Sequence, residues 1–178
     1  MEASTKNTRQ GHKLREFSTQ LAEKLRAAPN TPVQPLRLAL RIGTDSYLLD
    51  MATAGEIVTT ADIAPVPWTR PWYRGLTNVR GRLIGVVDLQ ELSGRPPLPL
   101  EQAQQLLVFG PAVKVSAGIL ISRAFGLRNI RELEGLGLTG NASLPWETQR
   151  YRDLDGTVLT ELDLPCLVAA DIFSSVGV

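Results

Sequence analysis

One histidine and one cysteine are all that the 178 residues offer to imidazole or thiol chemistry. The histidine, His12, lies in a polar N-terminal stretch, so a histidine general base or a histidine metal cluster is excluded. A single Cys166 cannot form an intrachain disulfide and suits reducing surroundings. Its neighbours Leu164, Leu167 and Val168 point to a buried thiol used as a small hydrophobe. No sign of charge dominates, because 19 basic and 18 acidic residues leave +1, which makes no general case for nucleic acid or an anionic membrane. No apolar run approaches the ~20 residues of a membrane span, and the first residues lack the apolar core of a signal peptide. Phosphate-loop, nucleophile-elbow and zinc-ligand spacings are missing. These absences predict a cytoplasmic, non-enzymatic protein without cofactor or metal.

What is present is a pattern written twice. Gly81, Leu83, Ile84, Val87, Asp88, Leu89 and Leu92 align with Gly156, Val158, Leu159, Leu162, Asp163, Leu164 and Leu167, every pair 75 residues apart. A glycine turn, an apolar strand and an aspartate opening a helical turn predict two related β-units, with Asp88 and Asp163 as N-caps. Asp88 and Glu91 also have capping-box spacing.

The charge is unevenly spread. Residues 1–35 hold six basic and three acidic residues, 65–100 five arginines and two acids, and 141–178 six acids and two arginines. After a polar tail, Leu14, Phe17, Leu21, Leu25 and Ala28 recur at helical spacing, and Pro29, Pro32 and Pro35 end the helix. Its stripe fits packing on the main body and docking to a partner or a second copy equally well.

From Leu36 to Ile42 the period is two, a half-buried strand. Tyr47–Met51 returns beside it, with Glu56–Val58 as an extension. Leu83–Leu89 reads as a strand buried on both faces. Leu106–Phe109 and Val113–Ile121 form another pair, Asn129–Leu133 a helical turn, and 135–145 a loop. Arg150–Leu154 and Val158–Leu164 flank an Asp-Gly hairpin turn, and a short helix ends the chain. Gly135-Leu136-Gly137-Leu138-Thr139-Gly140 matches a dinucleotide fingerprint, but no strand precedes it and Pro145 breaks any helix after it, so it reads as loop. Asn141-Ala142-Ser143 matches a glycosylation acceptor on a chain with no secretory route. Many short strands between Gly and Pro turns favour small barrels over a wound α/β sheet.

Arg80 stands in a tight Asn-x-Arg-Gly turn between apolar strands, where an unpaired guanidinium would be costly. Glu56 is the carboxylate expected to hold it. Trp68, Trp72 and Tyr73 fit either core plugs or an exposed contact surface.

Gly75-Leu76-Thr77-Asn78-Val79-Arg80-Gly81, joined to the strand closing at Asp88-Leu89, resembles the signature of CheW-like domains, the adaptors of bacterial chemosensory arrays. Leu36–Val58 resembles that family's opening strands, Val115–Phe125 its glycine-containing middle strand, and Asp155–Leu164 its closing hairpin. The resemblance covers residues 36–176, leaving 1–35 as a tail and amphipathic helix. Gly85 stands where the family often has proline, and Ser122 where it often has aspartate. The Pro-Val-Pro-Trp-Thr-Arg-Pro-Trp segment and the N-terminal helix resemble the PilI-type adaptors of type IV pilus twitching motility.

The resemblance implies a mainly β fold of two packed five-stranded barrels with a short C-terminal helix. It implies a non-catalytic adaptor that couples a methyl-accepting chemoreceptor to a CheA-type histidine kinase. It places Glu56, Ile57, Arg74, Gly75, Asn78, Arg80, Gly81 and Leu83 at the partner-binding surface. A small-barrel single-stranded nucleic-acid binder is the alternative; the balanced charge speaks against it.

Overall fold

The computed structural model describes residues 36–59, 62–99, 101–140 and 144–178. The N-terminal helix expected over residues 13–28 and the Asn141-Ala142-Ser143 site lie outside the described residues.

Strands β1 (Leu36–Ile42) and β2 (Asp45–Asp50) form the hairpin that the alternating leucines predict, turning at Gly43 with φ 60°. The Glu56–Val58 stretch does not extend β2. Asp50 turns the chain by accepting from Ala52 N and Thr53 N, and β3 (Ala54–Thr59) leaves for a second sheet. After it come β4 (Tyr73–Val79), β5 (Arg82–Val87) and the short helix α1 (Leu89–Leu92). Next are β6 (Gln105–Phe109), a 3-10 turn at Pro111–Val113 and β7 (Ala117–Ile121). Then β8 (Arg123–Asn129) leads to a 3-10 turn at Ile130–Glu132, capped by Asn129 as its sequence suggests. The chain ends with β9 (Glu134–Leu138), β10 (Glu147–Arg152), β11 (Val158–Leu162), α2 (Leu164–Ala169) and α3 (Asp171–Ser174).

The strands build two sheets, ordered β8-β1-β2-β11-β10-β9 and β3-β6-β7-β5-β4. The expectation of five strands in each is corrected. The stretch read as loop from residue 135 contributes β9, which pairs with β10 through a register shift at Gly137 (φ 90°). Alternating Gly and Leu hides a strand from a pattern search, since only the partner strand supplies the reason to extend. With β9 an edge strand, the G-x-G-x-x-G run opens no helix.

The 75-residue repeat is real in three dimensions. β4–β5–α1 and β10–β11–α2 are antiparallel pairs running into a helix, and they lie in different sheets. Asp88 caps α1, accepting from Gln90 N and Glu91 N, while Asp163 caps α2, accepting from Cys166 N. The backbone N–H of each aspartate donates to a tryptophan carbonyl, Trp72 O and Trp146 O, both at 2.8 Å. The capping box at α1 does not close: Asp88 N is taken by Trp72, and Glu91 faces Arg74 instead.

Each half of the chain gives a hairpin to one sheet and its remaining strands to the other. β1–β2 join the six-stranded sheet, and β3–β5 the five-stranded one. β6–β7 and β8–β11 do the reverse. The halves interlock through two parallel pairings, β2 with β11 and β5 with β7, and two antiparallel ones, β1 with β8 and β3 with β6. One apolar cluster runs through both sheets, with Leu40, Leu49, Ile84, Leu107 and Ile119 fully buried. β5 is buried on both faces from Ile84 to Val87, but it stops there, and Asp88 leaves the ladder to cap.

Candidate functional site

The Asn-x-Arg-Gly turn closes the β4–β5 hairpin. Val79 pairs with Arg82, so Arg80 and Gly81 form a two-residue loop. Both have positive φ, 52° and 83°, as the turn that matches strand twist requires. Asn78 Oδ1 accepts from Gly81 N at 2.8 Å and holds the loop from one side. Glycine is the natural residue for the second position. Arginine at the first is not, because a Cβ in the left-handed region costs about 1–2 kcal/mol.

Glu56 Oε2 meets Arg80 Nε at 3.0 Å, the pairing the sequence suggests. The setting differs from the expectation. Arg80 is 81% exposed and Glu56 35%, so the guanidinium is solvated and the pair is worth about 0–1 kcal/mol. The clamp on the turn is therefore the Asn78 side chain, with the ion pair a minor contributor.

β3 and β4 are opposite edges of their sheet, and the Arg80–Glu56 pair reaches from the β4–β5 turn to β3. Ala64, beyond β3, exchanges backbone hydrogen bonds with Leu76 at 2.8 and 2.9 Å. Glu56 is aimed by a bulge, since Gly55 and Glu56 together oppose a single residue of β6. A side chain on Gly55 would put its Cβ 2.7 Å from Val108 O. The signature residues thus fall in two layers. Glu56, Asn78, Arg80, Gly81 and the 63%-exposed Leu83 lie at the surface, with Ile57 half-buried beside them. Leu83 sits directly across from Asn78.

Arg74 and Gly75 belong to the inner layer. The Arg74 guanidinium lies 3.6 Å from both Asp88 Oδ2 and Glu91 Oε2 and donates to Leu98 O at 3.4 Å. Asp88 is fully buried, accepts from three backbone N–H groups, and has Arg74 as its counter-charge. Gly75 has φ 127°, and a Cβ there would stand 2.1 Å from Ala64 O. Its role is to let the 62–65 segment lie against β4.

The tryptophans divide. Trp72 is 4% exposed and packs edge-on to Tyr73, while Trp68 is 83% exposed on its proline-flanked loop. Cys166 is half-buried, less covered than its neighbours imply, and burial and Asp163 push its thiol upward. A second polar cluster had no local signal. Arg95 donates to both carboxylate oxygens of Glu147 at 2.7 and 3.0 Å and to Tyr47 Oη at 2.8 Å. Tyr47 Oη in turn donates to Glu147 at 3.1 Å. Its three members come from distant parts of the chain. Gly55 was also missed, as its bulge depends on a β6 pairing that spacing alone does not show.

The CheW-like domain family matches residues 38–171, most of the chain. The chain belongs to this family of scaffold adaptors. Protein PilI of Pseudomonas aeruginosa is 28% identical over 92 residues, which is 52% of this chain and 51% of PilI, so the match spans about half of that relative. Chemotaxis protein CheW of Thermotoga maritima is 30% identical over 132 residues, 74% of this chain and 85% of that one. Among solved structures, the scaffolding protein TtCheW from Thermoanaerobacter tengcongensis has the same fold. It superposes with a TM-score of 0.63 at 16% identity, over 78% of this chain and 95% of the other. Among the described residues no helix is long and apolar enough to cross a membrane.

Proposed function

We propose that this chain is a cytoplasmic adaptor that couples a methyl-accepting chemoreceptor to a CheA-type histidine kinase in the system that controls type IV pilus twitching motility. The likeness to PilI supports the pilus assignment, and family membership supports the adaptor role. The observation that carries the contact surface is Arg80. It occupies a backbone conformation that glycine or asparagine would adopt more cheaply, and it spends its side chain on a solvated pair. Glu56, Ile57, Asn78, Arg80, Gly81 and Leu83 form the surface that meets the partner, while Arg74 and Gly75 set its shape from beneath. On binding, partner groups replace water around the Arg80–Glu56 pair, and the charges strengthen as the surroundings dry.

The test separates contact from clamp. Arg80→Asn relieves the left-handed arginine and is expected to leave thermal stability unchanged or slightly raised. It is expected to weaken binding of the kinase's regulatory domain at least about tenfold, as loss of a central interface arginine does. Unchanged affinity in a titration calorimeter would remove the tip from the interface.

A further inference from the structure

The crossing strand of the second half, β8, carries a bulge like that of β3, but with the opposite electrostatics. β8 is an edge strand and pairs only with β1. The register slips between Ala39 and Leu40, so Phe125 is the extra residue, with Gly126 next to it at φ 89°. Just past the slip, Arg41 and Arg123 are direct cross-strand partners. Their guanidinium carbons stand 5.0 and 5.7 Å from the centre of the Phe125 ring. Both arginines are exposed. The ion pairs of this sheet leave them out: Arg37 is held by Asp50 and Glu161, Arg128 by Asp153, and Arg152 by Glu134.

Like charges directly opposite each other destabilise a strand pair. The ring beneath returns part of that through cation–π attraction, but one ring shared by two cations leaves them unneutralised. Of the nearby carboxylates, Asp153 is paired with Arg128, and Asp155 accepts from Thr157 N without joining either arginine in an ion pair.

We propose that Arg41, Arg123 and Phe125 form a docking site for an acidic segment of a partner protein. Two carboxylates of that segment meet the paired guanidinium groups, and its backbone runs beside the edge of β8. Charge complementarity selects this occupant. A free oxyanion would answer the arginines but leave the outer edge of β8, where only Ala124 N is taken by Gln105, without a partner strand. The site is on the other sheet from the hairpin tip and does not depend on the kinase reading.

The test uses the full chain and the side-chain Nε–Hε NMR signals of its arginines, with hexaglutamate, hexaglutamine and inorganic phosphate as probes. Hexaglutamate is expected to shift Arg41 and Arg123 saturably, at lower concentration than the exposed Arg80 and Arg82. That binding should weaken about tenfold from low to high salt as screening sets in. Hexaglutamine is expected to shift neither signal. Arg41→Gln and Arg123→Gln should each weaken hexaglutamate binding at least about fivefold while leaving the melting temperature unchanged or raised. The proposal is overturned if hexaglutamate moves Arg41 and Arg123 no more than Arg82, or if phosphate binds as tightly as the peptide. It is equally overturned if either glutamine variant lowers the melting temperature as far as Phe125→Ala does, which would make the arginines structural.

Discussion

Helices α1 and α2 both bury two leucines, but polar contacts are added at α1 and aromatic ones at α2–α3, although both come after the same strand pair and the same aspartate cap. At α1, Gln90 Nε2 donates to Ile42 O at 2.8 Å and Asp45 Oδ2 at 3.2 Å, and Arg95 just beyond grips Glu147 and Tyr47. At the other junction Leu164 and Leu167 are fully buried, and Phe173 stacks on Trp72 at 6.2 Å and tilts against Phe109 at 6.4 Å. One backbone plan therefore tolerates two kinds of adhesive. The apolar junction supplies area without direction. The polar one supplies direction, because a bidentate Arg–carboxylate pair fixes the angle at which α1 meets β2 and β10.

Breaking the apolar junction should cost most. Phe173→Ala removes a side chain that is 8% exposed, and a loss of about 3–5 kcal/mol is expected in urea unfolding. A loss below about 1 kcal/mol would mean that α3 is dispensable and the two junctions are not comparable. Breaking the polar junction comes next. Arg95→Ala leaves the Glu147 carboxylate, 8% exposed, without its cation, and about 3 kcal/mol should be lost. The double variant Arg95→Ala, Glu147→Leu should recover most of it, since a buried pair contributes little net against an apolar replacement.

The polar junction also has a pH signature that the aromatic one lacks. Burial, then the Glu147 carboxylate, push the Tyr47 hydroxyl well above its ordinary pKa of 10.0. The folded chain keeps a proton that the unfolded chain releases above that pH. The stability linked to Tyr47 is therefore complete below about pH 10 and falls as pH rises further. Tyr47→Phe should flatten this alkaline limb in melts between about pH 9 and 11; an unchanged limb would show that Tyr47 is not the group responsible.

The smallest effect is expected from the N-terminal segment. Deleting residues 1–30 should shift the urea midpoint of the remaining chain by less than the scatter between repeats and leave kinase-domain binding intact. Loss of a cooperative transition would place those residues in the core.

Much of this was legible along the chain because it is local. The β1–β2 hairpin arises from a period-two run of leucines beside a glycine turn. Asp88 and Asp163 announce helix starts because an N-cap bonds within three residues of itself. The Glu56–Arg80 pair was legible from the tightness of the turn, but its exposure was not, because burial depends on what the rest of the sheet brings over it. β9 was lost because its alternating Gly and Leu carry no strand signal without β10 beside them. Trp146 escaped the repeat because it matches Trp72 at an offset of 74, one residue out of step with the seven aligned pairs.

Residue type, local spacing and one recurring 75-residue offset were enough to settle the β class, the duplicated strand-and-cap unit and the hairpin tip. The exchange of strands between the two sheets became visible only in the folded chain. So did the placing of Arg74 beneath the surface on Asp88 while Arg80 stayed in water, and the facing of Arg41 with Arg123 across a shared ring. Those outcomes depend on register and strand pairing, which are settled by contacts between residues far apart in the chain and leave no mark on the spacing of neighbours.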